Sequence, residues 1–585
     1  MQADRQRTSE ETMKTEFIVE YNLYDTTALQ DARETSGSNA PFADIGKIKE
    51  DLPAPAYGTL EHNFFVLDES REEFPHNPKD LVYFSAGQSD ADGRFPEEQS
   101  VTVQFTKSHT SVGLTLSFLD AYPLELEIYW YDLDGKLKSR MKFFPDALVY
   151  FCRHQVEEYG RLRIVFLKAL PWHNVKLQHI KYGTSILWNS DTLKSGKLVN
   201  AVDPISNRLS TDTLTFDFVD KHDDFNLGNQ TGMHKTFQRR QSMTAYERTE
   251  NGTVPLGTFF LDSSAVTKNI CRMTAIDYKG MLANVDFIDG KVYEGDEAGG
   301  VIAQIMASAG ITDYEVDEET AGTPLYGTLK IQSCQKALRE VLFACGSIIS
   351  TSRQTGVTIC KNKKTVRAKI SRNRKFETTL QTDPYVSDVS VKYQTWTLED
   401  NVSEIAKGVY PPGTHMIQLT KPAADMTASA GRILKQMPYY VVLEIPARQR
   451  SEVTISGRKY VSHEMSALAS VGRLKSGEIC SSKAFTGTLL SPESAQRAAS
   501  SILDYYQLQQ IINTKYLAGT ERAGDWAEIE NPIKKHGNFI SAIESLTTDL
   551  AGGFISTAKC RGYYKNLTDY YMTGEICSGE EFGII

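Results

Sequence analysis

At 585 residues the chain is too long for a single hydrophobic core, and its 64 basic and 74 acidic residues leave a formal charge of −10. That balance argues against a surface built to neutralise a phosphate backbone, which disfavours nucleic-acid binding as the main task. The polar opening MQADRQRTSEETMK reads against a signal peptide, and no run approaches the roughly 20 apolar residues of a membrane span, so a soluble product of a cytoplasm is expected.

Residues 1–56 read as an N-terminal arm or linker: a charged tail, one alternating segment over 15–21, and a polar stretch ending in Pro53-Ala54-Pro55-Ala56. Residues 57–183 hold short β-rich runs between turns, SVTVQFTK, VGLTLSFLD, LELEIYWYDLDGKLKSRMKFF and RLRIVFLKAL, the pattern of an antiparallel β-sandwich. Within them Asp132-Leu133-Asp134-Gly135 and Ser89-Asp90-Ala91-Asp92-Gly93 lack the third ligand and distal Glu of a calcium loop. Asp-Gly between alternating strands signals a hairpin instead.

Residues 184–285 form a second β-rich block, with strands in TDTLTFDFVD, SMTAYER, LGTFFLDSSAV and CRMTAIDY. Over 286–375 the period changes. Val301, Ile302, Ile305, Met306 and Ala309 line a helix ending at Gly310, and Ala337, Leu338, Val341, Leu342 and Cys345 line another running from Ser333 to a stop at Gly346. The strands SIISTS and VTICKNK complete a small α+β domain. Residues 376–585 return to β, with strands in YVSDVSVKYQTW, YYVVLEIPA and FISTAKCRGYY around one helix, which opens at Ser491-Pro492 and leads into ESAQRAASSILDYYQLQQI. The expected fold class is mainly β with an α+β insert.

Chemistry is sparse along this chain. Cysteines at 152, 271, 334, 345, 360, 480, 560 and 577 form no CxxC or Cys/His cluster and read as reduced. Cys334 and Cys345 share a helix face about 16 Å apart, beyond the roughly 7 Å a disulfide tolerates, and read as core thiols. Cys152-Arg153-His154 lies in a strand-like run and reads as a core Cys with a surface His. HExxH, GxSxG, the GxxxxGK[ST] phosphate loop and a strand-coupled GxGxxG are all missing from the sequence. No catalytic, cofactor-binding or metal residue is therefore nominated, and no cofactor is expected. A glycosidase carboxylate pair is a tertiary fact that spacing leaves open. Tyr129-Trp130-Tyr131 is the best candidate for a sugar-stacking surface, although alternation buries either Trp130 or its two neighbours.

Several segments together carry a family likeness. Trp188-Asn189-Ser190-Asp191, Val202-Asp203-Pro204-Ile205-Ser206-Asn207-Arg208-Leu209-Ser210, Leu214-Thr215-Phe216-Asp217-Phe218, Leu256-Gly257-Thr258-Phe259-Phe260-Leu261-Asp262 and Ala275-Ile276-Asp277-Tyr278 resemble the first barrel of tail hub proteins from phages and prophages of Gram-positive bacteria. Gly58-Thr59-Leu60-Glu61-His62-Asn63-Phe64-Phe65-Val66-Leu67-Asp68 and Gly113-Leu114-Thr115-Leu116 resemble a galactose-binding-like sandwich that precedes the hub in some tail proteins. Gly524-Asp525-Trp526 and Asp549-Leu550-Ala551-Gly552-Gly553-Phe554 look like the family's closing strands.

The resemblance implies an N-terminal galactose-binding-like sandwich and two hub β-barrels, over 184–285 and 376–585, separated by a small α/β domain. It implies a non-enzymatic subunit of the virion tail tip, made in the bacterial host, that forms a homotrimer. Its implied partners are the distal tail protein and tail tube, the tape-measure protein, a tail fibre or receptor-binding protein, and phage DNA passing through a channel. In many such phages the hub continues into a peptidoglycan hydrolase. Here the sequence ends at Gly583-Ile584-Ile585, so lysis is expected to reside on another protein. The alternatives from other classes are a carbohydrate-binding adsorption protein, with 57–183 contacting host cell-wall glycan, and a tail-tip glycosidase or peptidase.

Overall fold

The computed structural model of the chain describes residues 15–49, 59, 61, 81–220, 225, 241–249, 252–446, 451–472, 480–533, 537–565, 571–572 and 583–584. It is mainly β with an α+β insert, and it divides into two compact units, one built on Glu20–Leu187 and the other on Trp188–His234 and Gln238–Ile585. The charged tail, the Pro53–Ala56 linker and Cys577 lie outside the described residues.

In the Glu20–Leu187 unit, SVTVQFTK and VGLTLSFLD belong to one continuous strand, Arg94–Phe118. Its first half pairs with the end of Val149–Lys168 (Val101↔Ile164, Val103↔Leu162), and its last residues pair with the start of the same strand (Leu116↔Tyr150) and with Lys176–Lys181. Register shifts between the two halves bend the long hairpin, as bulges do, so one sheet closes over its own core. Gly113 sits at such a bend with φ +147, and a Cβ there would lie 2.3 Å from the Cys152 carbonyl. Val101, Val103, Ile128, Trp130, Leu162 and Ile164 from one half meet Leu114, Leu116, Cys152 and Leu177 from the other.

Residues 15–49 are more than the arm that composition suggests. Beyond the strand Glu16–Tyr24 they form α1 (Thr26–Asp31), capped by the Asp25 carboxylate, and Arg33–Thr35, which pairs with Thr102–Gln104. Ala28, Ala32 and Ile48 enter the sandwich core. Past that strand the segment is too short and polar to show a periodicity, and only its tertiary partners reveal it.

In the second unit, Leu193–Ala201 is the joint. It pairs on one side with Thr213–Val219 and on the other with Phe539–Asp549 (Leu198↔Leu214 and Leu198↔Thr548). Strands of the second and last β blocks thereby run in one sheet, in the order Lys375–Thr382, Gln510–Leu517, Ile555–Tyr564, Phe539–Asp549, Leu193–Ala201, Thr213–Val219, Ile270–Ile276, Gly252–Thr267, Ser242–Thr249.

α2 (Tyr278–Ala283), at the end of the second block, packs with the insert's α3 (Ala298–Ser308), α4 (Glu318–Ala321) and α5 (Cys334–Cys345) around one apolar core. The Ser333 hydroxyl caps α5 and Gly346, at φ 64, ends it, as the sequence predicts. α6 (Pro492–Tyr506) opens on Ser491 with a reciprocal Ser494 bond. It stops short of the Ile511 that the sequence stretch reaches, because Gln510–Leu517, rich in β-branched residues, joins the sheet. Between the sheet strands, Tyr385–Tyr410 and Ser451–Ser470 form an antiparallel ribbon. Its base packs on α6, and a small three-stranded sheet near its far end has its own core of Ile417, Leu443, Val453 and Ile455.

Candidate functional site

Two buried polar clusters organise the segments that carry the family likeness. In Ala275-Ile276-Asp277-Tyr278 the strand Ile270–Ile276 hands over to α2, whose N-cap is Asp277. Two residues on, Lys279 folds back into the sheet, so its ammonium sits among Asp212, Asp277 and the Ala201 carbonyl with both carboxylate side chains at most 1 % exposed. Lys279 Nζ lies 2.8 Å from Asp212 Oδ1 and 3.5 Å from Asp277 Oδ2.

Asp212 is saturated, since Lys279 Nζ and the Ala201 N–H donate to Oδ1 while Asn200 Nδ2 and Thr351 Oγ1 approach Oδ2 at 2.9 and 3.1 Å. Asp277 Oδ1 accepts the Asp212 and Gly280 N–H groups. Its Oδ2 lies 2.8 Å from the Thr351 hydroxyl, which has a single proton for two carboxylates. Burial pushes Asp277 up to about 7 against the pull of Lys279, and Asp212 adds to the push. The cluster fastens the insert strand Ser347–Ser350, which runs on to Thr351, to the sheet.

The second cluster lines a cavity of about 410 Å³ formed by Asp203, Arg208, Tyr505, Glu544, Lys559 and Arg561, among others. Arg561 donates to Glu544 Oε1 (3.1 Å), the Leu508 carbonyl (3.0 Å) and Asp383 Oδ2 (2.6 Å), and Tyr505 Oη donates to Glu544 Oε1 at 2.5 Å. Burial raises Asp203. Burial also acts to raise Glu544, but its hydrogen bonds from Tyr505 and Lys559 prevail and hold it low. Two carboxylates with opposite shifts in one cavity suit acid–base work in principle. Here both Asp203 oxygens accept loop N–H groups from Ile205 and Arg208, and Arg561 is fully engaged, so the arrangement is a clamp between the Val202–Ser210 loop, α6 and the sheet.

The other sequence candidates fall as follows. Trp130 is buried, while Tyr129 and Tyr131 are half-buried on the opposite face of Glu125–Tyr131. Cys152 is a core residue whose thiol burial pushes up. His154 is not the surface residue expected: two positions along the strand from Cys152 it shares that face, stands 5.1 Å from the Trp130 ring and bonds Ser139 Oγ at 2.7 Å. Cys334 and Cys345 are buried and unpaired, raised to about 11 by burial.

Asp132 and Asp90 close hairpin turns by accepting the N–H of Lys136 and of Arg94, and among the described residues no group of three His, Cys, Asp or Glu could hold a metal. Of the segment 58–68 only Thr59 and Glu61 are described; Glu61 pairs with Lys176 at 2.5 Å, and the rest lies outside the described residues. Trp526 of Gly524-Asp525-Trp526 is buried with Nε1 donating to Asn362 Oδ1. Lys279, Thr351 and Arg561 went unmarked in the sequence. Only the oddity of a lysine two residues after a helix cap in an apolar strand–helix junction signals the first of them.

No protein-family model matches the chain, and no curated protein matches it. Among solved structures it is similar to a tail protein from Neisseria meningitidis, with 9 % identity over 63 % of this chain and 92 % of that one and a TM-score of 0.38. It is also similar to the 43 kDa tail protein of prophage MuSo2 from Shewanella oneidensis, with 8 % identity over 63 % and 97 % and a TM-score of 0.36. A third is a prophage tail protein from Listeria monocytogenes, with 7 % identity over 66 % and 93 % and a TM-score of 0.37.

Proposed function

We propose that the chain is a structural hub at the distal tip of a phage or phage-like tail, acting by assembly and not by catalysis. The observation that carries this reading is the placement of the segments with the family likeness. Leu214–Phe218, Leu256–Asp262, Ala275–Tyr278 and Asp549–Phe554 lie in, or at the ends of, one sheet, and residues close to them in the chain, among them Asp212, Lys279, Glu544 and Arg561, knit the buried clusters. In this reading the hub joins tail tube and tape-measure protein to fibre or receptor-binding proteins and gates DNA passage, and its place is the virion.

The same sheet offers an assembly edge. Lys375–Thr382 is its terminal strand, paired on one side only among the described residues, with Phe376 56 % exposed and most of its side chains uncovered. An open edge of this kind is a template for another strand, and a closed ring of copies disposes of it. The proposed state is a homotrimer. Mass photometry of the purified chain is expected to show three 65.5 kDa copies, reduced to monomer by Phe376→Lys with Thr379→Pro. A monomer at micromolar concentration, or a hexamer, contradicts the proposal.

A further inference from the structure

The outward face of the sheet in the Glu20–Leu187 unit carries a chemistry that assembly does not use. Alternation along Glu125–Tyr131 puts Leu126, Ile128 and Trp130 in the core and turns Glu125, Glu127, Tyr129 and Tyr131 outward. Register then fixes their neighbours. Tyr129 stands between Arg140 and Arg163, and its row continues through Thr102 to Thr35. Tyr131 stands beside Arg161, whose guanidinium lies 4.2 Å from the centre of its ring, and that row runs through Gln104 to Arg33. Such paired residues share a face about 5 Å apart, and rows of the same face repeat about every 6.6 Å along the strand.

On this face Arg33, Lys138, Arg140, Lys142, Arg161 and Arg163 outnumber Glu98, Glu125 and Glu127, in a chain whose overall charge is −10. Lys142 is paired with Glu125 at 2.7 Å and Arg163 with Glu98, whereas Arg33 and Arg140 have no carboxylate partner among the described residues.

We propose that this face binds an acidic glycan, a chain of sugar rings in which a carboxylate or phosphate recurs at intervals. The half-exposed Tyr129 ring offers an apolar surface to a pyranose, and the Arg140 guanidinium beside it, which has no carboxylate partner among the described residues, pairs with the anion through its planar donor fork. Glu127, which already accepts the Tyr129 hydroxyl at 2.6 Å, and Thr102 supply partners for sugar hydroxyls. A neutral glycan leaves the arginines unused. A nucleic-acid strand, with a phosphate on every nucleotide, meets the interleaved carboxylates unfavourably.

This assignment goes beyond the hub role and stands whether or not the chain forms a trimer. Biolayer interferometry of the full chain at physiological salt tests it against hyaluronate (a uronate on alternate rings), lightly phosphorylated dextran, unmodified dextran and unstructured single-stranded DNA. Binding to one or both acidic glycans at least about tenfold tighter than to dextran or DNA is expected, which corresponds to one charge-assisted contact. The arm that binds identifies the anion as carboxylate or phosphate. Arg140→Ala and Tyr129→Ala each reduce that affinity about tenfold, and Arg140→Lys, which keeps the charge but loses the fork, falls between. Both side chains face outward, and an unchanged melting temperature checks that the fold survives. The proposal is overturned by acidic glycans binding no better than dextran, by DNA binding as tightly, or by variants with unchanged affinity. Trimer measurements on the same samples separate this failure from failure of the hub role.

Discussion

Asp277 and Asp212 share one ammonium and one hydroxyl proton in a site closed to water. Two carboxylates against one cation leave a net negative charge there unless a proton is bound, and Asp277 is the oxygen pair with fewer donors. Its folded pKa of about 7 lies above the ordinary 3.8, so the proton stabilises the folded state fully below about pH 4, and that contribution is lost as pH rises through about 7. Asp277→Asn keeps a donor toward Thr351. Urea unfolding is therefore expected to show a variant whose stability changes less between pH 5 and pH 8 than the natural chain's, a window that brackets this titration. Lys279→Met leaves two buried carboxylates without a cation and is expected to cost about 3–5 kcal/mol, with the midpoint shifted at every pH. None of this is legible in sequence, because Asp212, Asp277 and Thr351 are brought together across long separations in the chain by the sheet and insert.

At the scale of elements, what the sequence tells best is what local chemistry decides. Ser333 and Gly346 bracket α5, Ser491 and Pro492 open α6, and Asp132 with Gly135 turns a hairpin, because each cap or turn is satisfied within a few residues. Continuity is harder to read. SVTVQFTK and VGLTLSFLD look like two strands because the bulged residues between them break the alternation, yet the backbone ladder runs on to Val149–Lys168. Likewise the end of α6 depends on a strand partner, Ile555–Tyr564, that the helix period does not see. Ser491→Ala removes the hydroxyl that accepts the Ser494 N–H and leaves only the bond from the Ser491 N–H to Ser494 Oγ, an expected loss of about 1 kcal/mol in thermal or denaturant unfolding. Gly346→Ala forces a side chain into the left-handed region and is expected to cost about 1–2 kcal/mol in the same measurement.

For the whole molecule, composition and alternation sufficed for a mainly β chain with an α+β insert, since those depend on averages over long windows. They did not show that the second and last β blocks share a sheet, because pairing between Leu193–Ala201 and Phe539–Asp549 leaves no local mark. A consequence is that 184–285 should not fold alone. Expressed as a fragment it has a bare strand edge where Phe539–Asp549 belongs, and nitrogen-15 NMR is expected to show a collapsed or aggregated species. A dispersed, monomeric spectrum would mean that the shared strand is dispensable.

The same long-range pairing sets a clock on biosynthesis. A ribosome adding roughly 5–20 residues per second needs on the order of 20–70 s between releasing Ala201 and releasing Asp549. Throughout that interval the joint strand waits for its partner, while the insert and the long ribbon are made and can fold first. Nascent chains stalled or truncated before the last strands therefore expose a sheet edge in the crowded cell, and holdase chaperones, slower growth or lower temperature should raise the yield of full-length protein more than any change to its mature surface.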